Sequence, residues 1–249
     1  MPLAGAPFEI GAPVPIVLDE TTVKAIRSHW VDVGPGLSEL QAFKRLAGGH
    51  RAFLDIGAAQ GIFSAAFCAM TGGQAYAFEP SPEMFAELAA LIDKNPEFSI
   101  SPFAIALGSV AGSQRVQPFG AQFRGVDDAQ AETVTMSVET LDDFVARHEL
   151  IPDFVKIDVE GMELEVLRGG EKTFSESVDV IMLEVHPQML MRGATIADLQ
   201  AKLSVYGFEL FTLDFTAIAD LSSYLTSGRQ ALVPATNIVC AKSRPAAAL

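Results

Sequence analysis

The sequence predicts an α/β protein built on a doubly wound sheet with helices on both faces, and three observations favour this class. Short runs rich in β-branched and aromatic residues recur along the chain, as in F-L-D-I and V-I-M-L-E-V. Amphipathic segments with helical periodicity separate these runs. Glycines and capping residues stand at most of the boundaries. Strands and helices that alternate in this way form a sheet covered on both sides.

The alternation becomes regular from residue 52 onward. Strand patterns cover 52–56, 75–78, 98–105, 134–138, 154–159, 180–185, 208–213 and 237–241. Helical patterns cover 20–29, 38–46, 61–70, 82–92, 141–148, 162–167 and 197–206. Ser38 and Thr140 are expected to cap two of these helices. We therefore expect an N-terminal arm over residues 1–35, proline-rich and mostly irregular, followed by a single domain over 36–249.

The composition disfavours several classes of partner. Of the 249 residues 49% are apolar, and the net charge of −14 disfavours binding to nucleic acid and to anionic membrane surfaces. Both cysteines lie in apolar segments without metal-ligand spacing, which predicts buried thiols in a reducing compartment. We find no signal-peptide pattern and no apolar run of ~18 residues, so we expect a cytoplasmic protein. A homo-oligomer is compatible with this composition.

The segment F-L-D-I-G-A-A-Q-G, residues 53–61, joins a predicted strand to a predicted helix through a glycine turn. Gly57 can adopt backbone angles closed to other residues, and Gly61 lets the helix begin close to a ligand. The free N–H groups at that helix terminus suit a carboxylate or a phosphate. Glycines at such turns also serve packing alone, so the turn needs a second observation.

An acid at the end of the neighbouring strand supplies that observation. Glu79 closes A-Y-A-F-E, 24 residues after Asp55. A carboxylate at this point accepts both hydroxyl protons of a ribose. Asp55 would favour a ligand with an ammonium or sulfonium group, either directly or through the loop that it braces. S-adenosylmethionine combines a ribose with both of these charged groups.

A nicotinamide-dependent oxidoreductase on the same kind of sheet is a weaker alternative. The dinucleotide fingerprint G-x-G-x-x-G requires a third glycine, which this loop lacks. Short-chain reductases also require a Tyr-x-x-x-Lys pair, and none of the three tyrosines has a lysine four residues later. Neither nicotinamide signature is present.

Six segments resemble, in this order, the FkbM family of S-adenosylmethionine-dependent methyltransferases: F-L-D-I-G-A-A-Q-G, A-F-E-P-S-P, A-I-A-L-G, V-E-T-L-D-D-F, K-I-D-V-E-G-M-E-L-E-V-L-R-G-G and I-M-L-E-V-H-P. The resemblance implies a class I methyltransferase fold, a Rossmann-like sheet of seven strands that is mostly parallel with an antiparallel last strand. It also implies O-methylation, typically of a sugar or polyketide hydroxyl. The family's loop usually reads D-x-G-A-N-x-G, and Ala59 stands here at the asparagine position.

The predicted cofactor contacts come from the ends of several neighbouring strands. They are Asp55, Gly57, Ala59, Gln60, Gly61, Glu79, Pro80, Ala104, Ile105 and Asp158. Gln60 could replace the missing asparagine amide from the next position, and Ala104 and Ile105 would lie beside the adenine. The alanine at position 59 also motivates an alternative function, a catalytically weak or inactive nucleoside-binding module.

Groups that act on the methyl acceptor are expected after the later parallel strands. Asp158 could bind the methionine end of the cofactor or the acceptor, while Glu160 could act at the site or could simply suit the first turn of a helix. Glu163 suits the first turn of a helix, whose dipole favours acids, so we expect a structural role for it. His186 follows a central strand, and its pKa is expected near working pH, which makes it our first candidate for the general base; capping or packing is a nearly equal alternative. The predicted catalytic residues are His186, Asp158 and Glu160.

No regular metal-ligand spacing is found, so no metal is predicted. Asp158, Glu184 and His186 could nevertheless share a divalent ion that acidifies a sugar hydroxyl. Lys156, inside the same strand as Asp158, could neutralise this cluster or pair with Glu184.

The acceptor is expected to be a hydroxylated small molecule. Its pocket is predicted to form from the arm and from the segments 108–132 and 214–233, which carry no motif. His29 and Trp30 in the arm could form a lid, but a lone tryptophan more often anchors an arm to its domain, which we favour.

Overall fold

A computed structural model gives the fold and describes residues 6–8, 12–18, 38–119, 122–124, 133–186, 193–227, 235–243 and 245. The strands are β1 Ala6–Phe8, β2 Ile16–Leu18, β3 Ala52–Ile56, β4 Gln74–Phe78, β5 Ile100–Phe103, β6 Ala106–Leu107, β7 Gly112–Phe119, β8 Gln122–Arg124, β9 Val134–Glu139, β10 Phe154–Ile157, β11 Val180–Val185, β12 Glu209–Phe211, β13 Ala217–Ile218 and β14 Thr236–Ala241. The helices are α1 Glu39–Ala47, α2 Ile62–Thr71, α3 Pro82–Lys94, α4 Leu141–Arg147, α5 Glu163–Gly169, α6 Glu171–Glu176, α7 Ile196–Val205 and α8 Leu221–Leu225.

The main sheet has eight strands in the order β13-β12-β14-β11-β10-β3-β4-β5. From β5 to β11 the strands are parallel, whereas β14 is antiparallel to both β11 and β12. The expected mostly parallel sheet with an antiparallel last strand is confirmed, and the short β13 is an eighth strand beside the seven expected. The strand order reverses between β3 and β10, and ligands of such sheets bind beyond the C-terminal strand ends at this reversal.

Two apolar layers hold the helices on the faces of the main sheet. On one face Phe53 of β3 packs against Phe154 of β10, with ring centroids 5.1 Å apart. On the other face Phe78 of β4 meets Phe144 of α4 edge-on at 4.7 Å. Each buried side chain of this kind contributes about 1.5–3 kcal/mol relative to an exposed one. All of β10 is buried, including Lys156, which makes this lysine a central element of the site below.

Side-chain caps fix where several helices begin, and this is why the sequence located them well. Ser38 and Thr140 accept backbone hydrogen bonds at the starts of α1 and α4, as predicted. Ser81 and Thr195 do the same for α3 and α7. Each of these caps satisfies a backbone N–H that has no partner within the helix.

The chain beyond β5 forms a second sheet in the order β6-β9-β7-β8, of which the sequence predicted only β9. The predicted strand 98–105 is too long, because the main-sheet strand ends at Phe103 and the chain continues after Ile105 as β6. β7 begins at Gly112 and is rich in polar residues, so its pattern does not distinguish it from a loop. Residues of β7 and β9 line the cavity described below.

Part of the N-terminal arm forms a hairpin that the proline-rich sequence did not reveal. β1 and β2 pair antiparallel, and Ile16 and Leu18 are buried in the core. Asn95, fully buried at the end of α3, accepts a hydrogen bond from the Val17 N–H at 2.7 Å and donates one to the Val17 carbonyl at 3.0 Å. These two bonds hold β2 against α3.

Three short elements, α6, α8 and β13, were not predicted from the sequence. The predicted helix 20–29, with His29 and Trp30, lies outside the described residues, and the division into arm and domain stays a prediction. Cys68 and Cys240 are buried free thiols, as expected. In the described part of the chain, no helix has the length and apolar character required to cross a bilayer.

Candidate active site

A cavity of about 300 Å³ lies at the C-terminal ends of β3, β4 and β10. Of the predicted site residues, its lining includes Gly57, Ala59, Glu79, Pro80, Ile105, Asp158 and Glu160. Asp55, Gln60, Gly61, Ala104 and His186 are not among its lining residues. Seven of the twelve predicted site residues thus line one cavity, and the other five lie outside its lining.

Gly57 brings the loop after β3 into close contact with the end of β10. Its φ is +82°, and a Cβ at this position would lie 1.8 Å from the carbonyl oxygen of Asp158. The N–H groups of Gly57 and Ala58 both donate to the Phe78 carbonyl, at 3.0 and 2.9 Å. Only glycine allows this approach, which brings the ends of β3, β4 and β10 together at the cavity.

Gly61 serves the packing of the helix that follows. It is the N-cap of α2 with φ of +81°, and a Cβ there would lie 2.3 Å from Leu88 Cδ1. This contact is with α3 and not with the cavity.

Glu79 joins two loops at the edge of the cavity. Its Oε2 accepts the Ala59 N–H at 2.9 Å, and its Oε1 accepts the Ser81 N–H at 2.8 Å. Burial raises the pKa of Glu79, and these two backbone donors oppose that increase. The carboxylate is therefore fixed in position, and each oxygen keeps a lone pair for a further donor such as a ribose hydroxyl.

The loop between these glycines contains a strained residue. Ala59 has φ of +46°, a left-handed conformation that costs a residue with a Cβ about 1–2 kcal/mol. Its N–H nevertheless makes the hydrogen bond to Glu79. The Gln60 amide donates to Glu87 on α3, so it does not replace the missing asparagine amide at the cavity.

Asp55 acts on the loop from behind. Only 1% of the residue is exposed, and its Oδ2 accepts hydrogen bonds from Ser64 N–H at 3.0 Å and Ser64 Oγ at 2.7 Å. Burial raises the pKa of Asp55, while the neighbouring Lys156 opposes this shift. Of the two predicted roles, direct contact with the cofactor or bracing of the loop, the geometry favours the second.

Lys156 neutralises the carboxylates beneath the site. Its Nζ lies 2.9 Å from Asp158 Oδ2, 3.5 Å from Glu39 Oε1 and 4.8 Å from the centroid of the Phe63 ring. Burial lowers the pKa of this lysine, but Asp158 and Glu39 outweigh burial and raise it, so the ammonium stays charged. Of the two predicted roles, neutralising the carboxylates around Asp158 or pairing with Glu184, the distances favour the first.

Asp158 and Glu184 form a hydrogen-bonded pair of carboxyl groups at the ends of β10 and β11. Burial raises the pKa of Glu184 to about 8, and the charge of Asp158 adds to the increase. Burial also acts on Asp158, but Lys156 lowers its pKa below the usual value. Asp158 is thus the more acidic member of the pair, and Glu184 is the member that keeps its proton to higher pH.

His186 lies directly behind the cavity wall, among three carboxylates. Its Nε2 is 3.4 Å from Glu160 Oε2 and 3.8 Å from Asp158 Oδ1, and its Nδ1 is 2.7 Å from Glu163 Oε1. Burial lowers the pKa of His186, but the hydrogen bonds that the ring donates to Glu160 and Glu163 outweigh burial and raise the pKa to about 10. The expectation of a pKa near working pH was wrong, because the sequence did not show how many carboxylates surround the ring.

Glu163 has a contact that sequence reasoning missed. It stands in the first turn of α5, as expected, but it is fully buried, and its Oε1 accepts the Gly161 N–H at 3.0 Å beside the bond to His186. Its Oε2 receives no hydrogen bond from the described residues. The sequence offered one signal, the segment E-G-M-E at residues 160–163, directly before a buried helix. This segment did not show that Glu163 contacts His186.

Much of the remaining cavity lining is apolar. It is formed by Met84, Ile105, Leu107, Val116, Met136 and Val138, and Gln114 adds one polar side chain. The sequence predicted only Ile105 among these, because the others come from the second sheet and from α3. Ala104, predicted beside the adenine, is exposed at the surface.

Residues 55–210 match the family model described as Methyltransferase FkbM domain. This chain belongs to the FkbM methyltransferase family. A curated relative, the hexuronic acid methyltransferase AglP of Haloferax volcanii, is 32% identical over 137 residues, which are 54% of this chain and 56% of that protein. The chain therefore aligns with little more than half the length of this relative. The crystal structure of the methyltransferase FkbM from Methylobacillus flagellatus superposes with a TM-score of 0.51 at 18% identity, over 77% of this chain and 43% of that one.

The family is one of methyltransferase domains, which makes S-adenosylmethionine the cofactor to compare with the cavity. The described residues fit this cofactor in three respects. The fixed Glu79 carboxylate suits a pair of ribose hydroxyls, and the apolar wall at Ile105 suits an adenine ring. Asp158, at the opposite side of the lining, supplies negative charge for the methionine end.

Ligand atoms of Asp158, Glu184 and His186 lie within 4.8 Å of one another, a spacing that a metal ion could use. The Lys156 ammonium at 2.9 Å from Asp158 already supplies a positive charge there, and it would repel a divalent ion. The arrangement of these described residues favours a charge cluster neutralised by lysine.

Proposed function

We propose that this methyltransferase transfers the methyl group of S-adenosylmethionine to a hydroxyl of a saccharide-like or polyketide-like small molecule. One observation carries the proposal. Glu79 lies at one side of a single cavity, and Asp158 and Glu160, backed by His186, lie at the other. A nucleoside-binding acid and the two acids that contact the proposed proton acceptor, His186, thereby line one cavity.

Each part of the cavity has a task in this proposal. Glu79 accepts the ribose hydroxyl protons, and Ile105 and Pro80 contact the adenine. Asp158 pairs with the positively charged end of the cofactor, while Lys156 holds the Asp158 side chain in place. When bound, S-adenosylmethionine supplies a methyl group on a positively charged sulfur.

The transfer requires one proton acceptor. With the cofactor bound, the acceptor oxygen would take the methyl group as the carbon–sulfur bond breaks, and the electron pair would stay on sulfur. The hydroxyl proton passes to His186 Nε2, so the products are the methyl ether, S-adenosylhomocysteine and one proton. A positioned base accelerates such a step about 10²–10⁴-fold. A positive charge added beside Asp158 lowers the pKa of His186 and so favours the form that accepts this proton.

The saccharide part of the proposal draws on the relative named for hexuronic acid methylation. Hexuronic acids and neutral hexoses both present hydroxyl groups, and polyhydroxylated polyketides present similar ones. The carboxylates of Asp158 and Glu160 at the cavity suit hydroxyl donors of any of these classes.

A transfer assay with methyl-labelled S-adenosylmethionine tests the proposal. The acceptor panel should contain neutral hexoses, hexuronic acids, their oligosaccharides and polyhydroxylated lactones. We expect label in an ether that resists mild alkaline hydrolysis, which cleaves methyl esters. Cofactor binding without transfer to any acceptor would instead favour the nucleoside-binding module motivated by Ala59. Transfer to nitrogen or carbon acceptors alone would refute O-methylation.

A further inference from the structure

The geometry points to Glu163 as the positioning residue of the site: its buried carboxylate holds the His186 ring by Nδ1 and so directs Nε2 toward Asp158 and Glu160. This inference rests on the proposed function, because it assigns the residue that orients the proposed proton acceptor. Neither family membership nor the predicted site includes this role.

The contacts around Glu163 are those of a fixed carboxylate. The side chain is fully buried, and Oε1 lies 2.7 Å from His186 Nδ1. The same oxygen accepts the Gly161 N–H at 3.0 Å, which anchors the carboxylate to the turn before α5. A charge buried this deeply is stable only beside a partner, and His186 is the partner that the structure supplies.

This contact determines which nitrogen of His186 can act. When Nδ1 carries a proton and donates it to Glu163, the neutral ring has its lone pair on Nε2. Nε2 is the nitrogen that faces Asp158 and Glu160, the cavity side of the ring. A carboxylate behind a histidine holds the required tautomer and stabilises the protonated ring after proton transfer.

A helix-dipole role alone does not account for Glu163. Glu165 stands in the same first turn of α5, yet its carboxylate is partly exposed and pairs with Arg168 at 2.6 Å. Favourable interaction with a helix dipole requires no burial and no histidine. The two glutamates thus offer a matched pair, one directed at the site and one at the surface.

Other charges also act on His186 and must be kept constant in any test. Asp158 and Glu160 face Nε2, Glu184 is hydrogen-bonded to Asp158, and Lys156 binds Asp158 from the other side. Glu163→Gln leaves all of these in place. It keeps an oxygen acceptor of the same shape and removes only the negative charge behind the ring.

The direct test is a ¹⁵N NMR titration of the histidine ring, assigned by comparison with His186→Asn. It requires no acceptor substrate. In the wild-type protein we expect the neutral ring to carry its proton on Nδ1. In Glu163→Gln we expect the pKa of His186 to fall by about 1–3 units, and in Glu165→Gln we expect no change. A proton on Nε2 of the neutral wild-type ring, or an unmoved titration in Glu163→Gln, would overturn the inference.

Two controls separate a folding defect of Glu163→Gln from a failure of the proposed function. The glutamine amide would have no partner at the position of Oε2, which destabilises the variant, so the tautomer of the wild-type ring remains the decisive measurement if this variant unfolds. Titration calorimetry with S-adenosylhomocysteine should give the same affinity for wild type and Glu163→Gln. Lack of binding by the folded wild type would refute the proposed function and leave the ring measurement valid.

Discussion

Replacing Gly57 with alanine tests whether the contact between its loop and β10 shapes the cofactor site. An added Cβ would lie 1.8 Å from the Asp158 carbonyl oxygen, and the backbone has φ of +82°. The left-handed backbone alone costs about 1–2 kcal/mol. Relief of the overlap requires a shift of about 1.5 Å, and overpacking of this kind adds about 1–3 kcal/mol. We therefore expect the free energy of unfolding to fall by about 2–5 kcal/mol.

The same shift moves Asp158, so Gly57→Ala should also impair function. Misplacement of a reacting group by about 1 Å reduces turnover by about 10²-fold. Urea denaturation measures the stability, and calorimetry with S-adenosylhomocysteine measures the cofactor site. Gly72→Ala is the control, because Gly72 has φ of +66° with nothing within 4 Å of an added Cβ. The control should lose about 1–2 kcal/mol and keep its affinity. If the two variants behave alike in both measurements, the reasoning is refuted.

Three further predictions concern the loop, the proton acceptor and the cation. Ala59→Gly should relieve the left-handed strain at φ of +46° and raise the unfolding temperature by about 2–4 °C; a decrease would contradict the strain. Because the pKa of His186 is raised to about 10 in the unliganded protein and a base must be deprotonated, kcat/KM should rise about tenfold per pH unit from pH ~7 to ~9, and His186→Asn should abolish this rise. A level wild-type profile would remove His186 as proton acceptor. Excess EDTA should leave turnover unchanged, because Lys156 already neutralises Asp158; a loss restored by Mg²⁺ would establish a metal site.

The strand ends of the main sheet were predictable because local pattern and a general rule act together there. Buried strands give continuous apolar runs, and the rule that ligands bind beyond C-terminal strand ends then selects the next residues. Gly57, Glu79 and Asp158 were found in this way, and the structure brings all three to one cavity. No contact between distant segments had to be known.

Contacts between distant segments are what the sequence did not reveal. Glu163 and His186 are 23 residues apart and meet only because β10 and β11 are neighbours in the sheet. The raised pKa of His186 depends on carboxylates from the turn after β10 and from α5, so it could not be inferred from the residues adjacent to the histidine. Val116 of the apolar wall lies on β7, whose polar pattern resembles a loop. Met136 lies on the predicted strand β9, but the sequence did not show that β9 pairs with β7 beside the cavity.

The most direct measurement of the central claim is calorimetry of S-adenosylhomocysteine binding to wild type, Glu79→Ala and Glu83→Ala, with folding verified for each. Glu83 is an exposed acid in the first turn of α3, so its removal controls for a general change of charge. We predict that wild type and Glu83→Ala bind alike and that Glu79→Ala binds about 10- to 100-fold more weakly, since hydrogen bonds to a charged group are lost. Absence of binding by folded wild type, or equal affinity in Glu79→Ala, would contradict the account.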